Sequence, residues 1–221
     1  MNKIAIAIHG GASESSDFLR THQKEIEKVL AKAVEVSYDL LSKQVSALDV
    51  VEAAVKILED SPYLNAGRGS ALNARGEVEM DASIMDGSTL KAGAVSMVRE
   101  VKNPISLARV VMEKTRHVFL SGYGALELAN DYEVDLEPES YFITPHQLEE
   151  FKRLQLIETT ADKRNKKMMG TVGAVALDCY GNIAAGTSTG GISNCLPGRI
   201  GDSCVIGAGC YANNTSCAVS G

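Results

Sequence analysis

Residues 170–191 of this chain read GTVGAVALDCYGNIAAGTSTGG. Thr171–Leu177 is an almost wholly apolar run, and Ile183–Ser188 is a second candidate strand. Short apolar runs bounded by turn residues are typical of buried strands. The Cys-Tyr-Gly-Asn sequence at 179–182 supplies such a turn. The stretch therefore predicts a buried β-hairpin.

The segment before the hairpin, Thr159–Met169, has no long apolar run and carries several lysines and arginines. We interpret residues 159–170 as an exposed linker. A buried hairpin therefore begins where a solvated linker stops.

The residues upstream of the linker predict mainly helices. Apolar residues recur at helical spacing between Lys24 and Lys43, and a second such stripe follows Ser46, whose spacing to Asp49 resembles a capping box. Three further strands are predicted, at Lys3–Ile8, Glu77–Met85 and Ala92–Val98. Three further helices are predicted, one beginning at Asn103-Pro104, one near Ala125–Asp131 and one beginning at Pro145 with Thr144 as its cap. Such an order predicts helices packed on a sheet, of the α/β or α+β class.

Composition narrows the class of protein and its partners. The chain has 221 residues, of which 45% are hydrophobic and 23% charged, as in a soluble globular domain. A formal net charge of -6 disfavours nucleic acid as a partner, because phosphate binding needs a basic face. No run approaches the roughly 18 apolar residues of a membrane span. We expect a cytoplasmic protein with neither a membrane nor a nucleic-acid partner.

The pair Gly170-Thr171 suggests a specific chemistry. A threonine hydroxyl is a weak nucleophile without an adjacent base. Cleavage before Thr171 would free an α-amine whose pKa of roughly 7.7–8 suits a general base. The alternative is that Thr171 simply starts a strand, which threonine does well.

Two clusters follow the hairpin. Thr187–Gly191 offers hydroxyls beside glycines, and Gly198–Ser203 contains Arg199 and Asp202. Arginine can bind a carboxylate through two parallel hydrogen bonds, and an aspartate can accept from an ammonium. Together these two side chains fit a free amino-acid head group. The alternative is a loop salt bridge between them.

These motifs resemble the plant-type asparaginase/isoaspartyl peptidase family of N-terminal-threonine-nucleophile hydrolases. The resemblance runs through the whole chain in the family's order. It rests on HGGA at 9–12, LEDSPYLNAGRGS at 58–70, MDASIMDG at 80–87, GTVGAVALD at 170–178, TSTGG at 187–191 and GRIGDS at 198–203.

The resemblance implies an α+β fold, a four-layer αββα sandwich, and a precursor that cleaves itself between Gly170 and Thr171. Residues 1–170 would be the α segment, and the two segments would stay together in one domain. Thr171 would be the nucleophile for self-cleavage and for hydrolysis. Thr189 would hydrogen-bond to it, and Asn65 would help to position the site.

The implied reaction is hydrolysis of L-asparagine or β-aspartyl dipeptides through an acyl-enzyme on Thr171. Arg199 would hold the substrate α-carboxylate and Asp202 its α-ammonium. The turn at 9–11 would lie near the site of self-cleavage. The resemblance implies no cofactor for the chemistry and a homodimer of αβ units.

The resemblance also implies a structural sodium ion. Main-chain carbonyl oxygens in a loop would surround the ion, in keeping with the preference of hard cations for oxygen. The implied ligands are the carbonyls of Leu58, Glu59, Ser61, Leu64, Ala66 and Arg68.

The family continues past the position of Ser220 with a threonine-glycine stretch that supplies oxyanion-hole groups, and then with further strands and helices. We therefore interpret residues 171–221 as the first part of a longer β segment. Residues 1–221 on their own are expected to stay uncut, to aggregate and to have little activity.

Three alternatives remain open. The run Gly207–Ala212 fits G-x-G-x-x-A, a dinucleotide-binding pattern that requires a helix next and an acidic residue about twenty positions on. A glycosylasparaginase-like hydrolase is the rival within the family. A truncated, inactive family member is the third alternative.

Overall fold

The computed structural model describes residues 3–12, 16–158 and 170–221. The strands are β1 (Ala5–His9), β2 (Met80–Asp86), β3 (Ala92–Val98), β4 (Phe119–Ser121), β5 (Val172–Leu177), β6 (Ile183–Thr189), β7 (Cys210–Ala212) and β8 (Ala218–Ser220). The helices are α1 (Asp17–Thr21), α2 (Gln23–Ser42), α3 (Ala47–Glu59), α4 (Pro104–Lys114), α5 (Gly122–Asp131), α6 (Glu139–Phe142) and α7 (Pro145–Glu158).

The main sheet has six strands in the order β1-β5-β6-β2-β3-β4, and only β3 and β4 are parallel neighbours. The predicted hairpin is confirmed as β5 and β6, which pair from Val172 opposite Ser188 to Leu177 opposite Ile183. Asp178 organises its turn, since its Oδ1 accepts hydrogen bonds at 2.9 Å from two backbone N–H groups of the turn. The first and last residues of this hairpin therefore come together at one end of the sheet.

One face of the sheet is covered by α2, α3 and α4. The predicted cap of α3 is confirmed, because Ser46 Oγ accepts from Asp49 N at 3.2 Å. Val51 and Val55 are fully buried, and a Cβ on Gly186 of β6 would lie only 2.6 Å from Val51 Cγ1. Each such buried side chain contributes about 1.5–3 kcal/mol. The close approach of helix and sheet therefore requires glycine at position 186.

The opposite face carries the two-stranded sheet of β7 and β8, which packs on β2, β5 and β6. Met85 and Ala185 of the large sheet form a small apolar cluster there with Cys210 and Ala212. The described residues thus form a helix layer, a mixed six-stranded sheet and a small second sheet.

Several sequence-based predictions need correction. The short elements α1, β4, α6, β7 and β8 were not predicted, because elements of three to five residues show little periodicity. The strand predicted from Glu77 begins at Met80. The pattern at 207–212 is not a dinucleotide site, since Cys210–Ala212 forms a strand where that site needs a helix. Residues 159–169 of the predicted linker lie outside the described residues.

Among the helices of the described chain, none combines the length and apolar character needed to cross a bilayer.

Candidate active site

Thr171 and Thr189 lie at the same end of the β5–β6 hairpin. The register that places Val172 opposite Ser188 places residue 171 opposite residue 189. Thr171 Oγ1 donates to Thr189 Oγ1 at 3.4 Å and lies 3.4 Å from Ser203 Oγ. The hairpin therefore sets one hydroxyl beside two others.

The carbonyl oxygen of Gly170 accepts two side-chain hydrogen bonds. Asn65 Nδ2 donates to it at 2.8 Å and Thr189 Oγ1 at 3.1 Å. Donors at such distances stabilise negative charge that develops on a carbonyl oxygen during attack. The bond between Gly170 and Thr171 is therefore polarised next to a candidate nucleophile.

Asn65 is itself held at both ends of its amide. Its Oδ1 accepts from Ala71 N at 2.8 Å, and its Nδ2 also donates to Gly191 O at 2.7 Å. These bonds leave one orientation of the amide, with the nitrogen toward Gly170. The side chain links the loop after α3 to both ends of the hairpin.

The glycine turn at 10–11 lies against the same bond. Gly11 has φ +102°, and a Cβ there would lie 2.9 Å from both Gly170 Cα and Thr171 N. A side chain at this position is excluded by conformation and by space. The expected neighbourhood of this turn and the Gly170–Thr171 bond is present in the structure.

A polar network next to the backbone of Thr171 was not predicted from the sequence. Ser220 Oγ lies 2.8 Å from His9 Nε2 and 2.7 Å from Thr187 Oγ1, and it donates to Gly186 O at 3.2 Å. Burial lowers the pKa of His9, although a hydrogen bond with the Thr171 backbone acts in the opposite direction. A Cβ on Gly173 would overlap Ser220 Oγ, so this network requires glycine in β5.

Arg199 and Asp202 lie on the loop that follows β6. Arg199 is half-buried, and its Nη1 would be 4.0 Å from a Cβ built on Gly191, whose carbonyl is bound by Asn65. Asp202 is exposed. Within the described part of the chain no ion pair joins Arg199 to Asp202, so the loop salt bridge considered as the alternative is not formed.

The loop implied to hold sodium curls back on itself. Gly67 and Gly69 have positive φ, and a Cβ on Gly67 would lie 2.5 Å from Glu59 O. Two of the six implied carbonyls accept hydrogen bonds, Glu59 O from Arg68 N at 2.7 Å and Leu58 O from Ser61 N at 3.1 Å. In the chain as described, no hydrogen bond reaches the remaining four carbonyls, which belong to Ser61, Leu64, Ala66 and Arg68.

Three of those four residues are buried, and buried carbonyls are nearly always paired. A hard cation would supply that pairing. The donor set therefore fits a sodium ion.

A cavity of about 370 Å³ opens beside Gly170 and Gly11. Most of its lining is apolar, with Asn65 and Gln147 among the polar residues. The bond between Gly170 and Thr171 therefore borders open space as well as the packed hairpin.

Ser203, Glu79 and Asp81 are site residues that the sequence did not identify. Ser203 is 1% exposed, and its hydroxyl faces that of Thr171. The two carboxylates accept hydrogen bonds from the loop that bears Arg199. Ser203 is the last residue of the GRIGDS run at 198–203, which is the sequence signal that could have drawn attention to it.

Comparison with known proteins agrees with this geometry. A family model described as asparaginase matches residues 2–221. The chain is 47% identical over 218 residues to an isoaspartyl peptidase/L-asparaginase of Mus musculus, covering 98% of this chain and 66% of that protein. It is 48% identical over 221 residues to the Homo sapiens isoaspartyl peptidase/L-asparaginase, covering 100% of this chain and 70% of that protein.

A bacterial relative, an isoaspartyl peptidase of Salmonella typhimurium, is 46% identical over 228 residues, covering 100% of this chain and 73% of that protein. The chain thus spans about two thirds of the length of these relatives. The family match covers nearly every residue, and the polarised Gly170–Thr171 bond lies where the family motifs converge, so the chain belongs to the asparaginase family.

Proposed function

We propose that the protein is a self-cleaving amidohydrolase that hydrolyses L-asparagine and β-aspartyl dipeptides through an acyl-enzyme on Thr171. The observation that carries the proposal is the Gly170 carbonyl, which lies under two hydrogen-bond donors beside the Thr171 hydroxyl. The names of the relatives, which describe isoaspartyl peptidases and asparaginases, support the substrate class.

Self-cleavage is the first reaction. Thr171 Oγ1 attacks the Gly170 carbonyl carbon, and Asn65 and Thr189 stabilise the resulting oxyanion. The hydroxyl proton, which points at Thr189 Oγ1, ends on the Thr171 nitrogen as the C–N bond breaks. Water then hydrolyses the ester, which leaves a carboxylate on Gly170 and a free α-amine on Thr171.

Substrate hydrolysis uses the newly freed amine. The α-amine of Thr171 takes the hydroxyl proton, and Oγ1 attacks the side-chain carbonyl of asparagine or of the isoaspartyl residue. Ammonia or the amine of the next residue leaves with that proton. Water then hydrolyses the aspartyl ester, while Arg199 and Asp202 hold the α-carboxylate and α-ammonium of the aspartyl group.

Sodium would have a structural role in this enzyme. The carbonyls of Leu64 and Ala66 flank Asn65 in sequence, so an ion bound there would stiffen the loop that carries Asn65. The buried carbonyls without hydrogen-bond partners in the described chain support this assignment.

The finer architecture belongs to the same proposal. A helix layer on one face of the large sheet and a second sheet on the other support the four-layer αββα sandwich. Family resemblance supports a homodimer of αβ units, and a cytoplasmic location remains the expectation from the sequence itself. A glycosylasparaginase-like activity is the rival, and the names of the relatives do not favour it.

The test combines mass and activity. Intact mass spectrometry of the protein purified with the longer β segment expected above should show two fragments divided between Gly170 and Thr171, whereas residues 1–221 alone should stay uncut. Thr171→Ala should stay uncut and inactive, and Thr171→Ser should keep part of both reactions. Asparagine and β-aspartyl dipeptides should be hydrolysed much faster than glycosylated asparagine. Turnover of a β-aspartyl dipeptide by Thr171→Ala would refute the assignment.

A further inference from the structure

The loop that carries Arg199 is held without a β-ladder. Residues 190–209 form neither helix nor strand in the described chain. A guanidinium that recognises a carboxylate through two parallel hydrogen bonds must be placed accurately. Contacts other than sheet hydrogen bonds must therefore fix this loop.

Two carboxylates bind the loop on either side of Arg199. Glu79 Oε2 accepts from Gly198 N at 2.9 Å, and Asp81 Oδ2 accepts from Gly201 N at 3.2 Å. Residues two apart in an extended chain point to the same face. The start of β2 thus presents two acceptors to the backbone amides that bracket Arg199.

Asp81 also fixes an irregular point in the neighbouring strand. Its Oδ1 accepts a hydrogen bond from Met97 N at 3.0 Å. Met97 has φ +53° and lies where the register between β2 and β3 shifts. Met97 in turn packs on the loop, since its Cε would lie 3.5 Å from a Cβ on Gly198. Asp81 is the direct cross-strand partner of Thr189. The Asp81 side chain therefore links β2, which pairs with Thr189, to the irregular point in β3 and to the loop that carries Arg199.

The buried environment of Asp81 destabilises the ionised form of its carboxylate. The residue is 3% exposed, and burial raises its pKa, whereas hydrogen bonds from Met97 and Gly201 and the charge of Arg199 favour the ionised form. A buried carboxylate destabilises a protein unless it is hydrogen-bonded and opposed by a cation. Arg199, on the loop whose Gly201 N–H binds Asp81, supplies positive charge that favours the ionised carboxylate.

We propose that Asp81, assisted by Glu79, is the positioning residue that orients Arg199 toward the α-carboxylate of the substrate. Asp81 acts through Gly201 and through its charge, without touching the substrate. The proposal rests on the function proposed above, in which Arg199 binds that carboxylate.

The consequence is a selective loss of affinity. In Asp81→Asn the amide can offer one acceptor oxygen, so one of the two N–H groups now faces an NH₂ group, and the negative charge opposite Arg199 is gone. The KM for L-asparagine should rise about tenfold, the effect of misplacing one charge-assisted hydrogen bond. The kcat and the rate of self-cleavage should change less than about threefold.

The experiment compares Asp81→Asn with Asp86→Asn, a matched control at the other end of β2 whose carboxylate serves only a surface turn in the described chain. Both are assayed on L-asparagine and on a β-aspartyl substrate amidated at the α-carboxylate of its aspartyl residue. Only Asp81→Asn with the free carboxylate should lose affinity. In an Arg199→Lys background Asp81→Asn should have an effect below about twofold, because the two changes remove the same interaction.

Hydrogen exchange of the segment 198–202 provides a readout that needs no activity. Exchange should be faster in Asp81→Asn than in the unmodified protein or the Asp86→Asn control. If the unmodified protein neither cleaves itself nor turns over substrate, the proposed function is wrong. Hydrogen exchange of residues 198–202 would still test whether Asp81 positions the loop. Unchanged exchange, or equal KM losses on both substrates, would overturn the positioning role.

Discussion

Thr171 and Arg199 are placed by two different kinds of structure. Thr171 directly precedes the β5–β6 hairpin, in which six consecutive residue pairs lie in register. Arg199 lies in an irregular loop whose neighbouring amides are bound by Glu79 and Asp81. The proposed nucleophile is therefore supported by backbone pairing, and the cation proposed to bind the head group by individual side chains.

Because the two residues are held differently, substitutions near Thr171 and substitutions near Arg199 should affect different steps of the proposed reaction. Ladder hydrogen bonds join main-chain groups and do not depend on most side chains, so the position of Thr171 should tolerate many substitutions. The part of the loop around Arg199, where Glu79 and Asp81 bind Gly198 and Gly201, should shift when either acceptor is removed. Changes at the hairpin end should alter rates, and changes at the loop should alter substrate affinity.

Among changes that keep Thr171, the largest effect is expected at Asn65. Asn65→Ala removes one of the two donors to the Gly170 carbonyl, so self-cleavage should slow about 10²–10³-fold. The rate is measured by intact mass over time in the purified protein. Asn130→Ala, which changes an exposed asparagine on α5, serves as the control. Cleavage of Asn65→Ala at the unmodified rate would show that the hairpin alone suffices.

Thr189→Val tests the second donor at nearly constant volume. The variant loses the hydroxyl that donates to Gly170 O and that accepts from Thr171 Oγ1, so self-cleavage should fall at least about tenfold. Thr189→Ser keeps the hydroxyl and should stay within a few-fold of the unmodified rate. Equal rates for the Val and Ser variants would remove Thr189 from the mechanism.

Arg199→Lys tests the loop side of the comparison. Lysine cannot reproduce the two parallel hydrogen bonds of a guanidinium, so KM for L-asparagine should rise about tenfold. A substrate amidated at the α-carboxylate should be poor for both proteins and nearly indifferent to the change. Self-cleavage should continue at the unmodified rate. Slower self-cleavage would mean that the hairpin and the loop are not independent.

The smallest effect concerns acid stability at His9. Because burial lowers its pKa below 6.5 in the folded protein, the unfolded chain binds more protons over the interval between the two values. The stabilisation is fully present above pH 6.5 and is lost as pH falls through the folded pKa. His9→Gln should therefore lose less stability than the unmodified protein as the pH falls below 6.5. Urea unfolding at pH 5 and pH 7.5 measures the free energy of unfolding of both proteins. An equal decrease in both between the two pH values would contradict the prediction.

Much of the fold followed from local pattern. The hairpin at 172–189, the capped helix after Ser46 and the strand Ala92–Val98 were predicted from periodicity and turn residues. These signals are reliable because neighbours in sequence share one face of an element. The short strands β7 and β8 escaped prediction, since three residues hold too little periodicity.

The sequence by itself determined the longer helices, the hairpin and the Gly170-Thr171 pair, and its resemblance to the asparaginase family indicated the candidate nucleophile and its partners. Only the tertiary structure decided how distant residues meet. Asn65 reaches Gly170 across 105 residues, Asp81 reaches Gly201 across 120, and His9 reaches Ser220 across 211. Single buried polar side chains carry no periodic signal, and their partners are set by sheet order and loop closure.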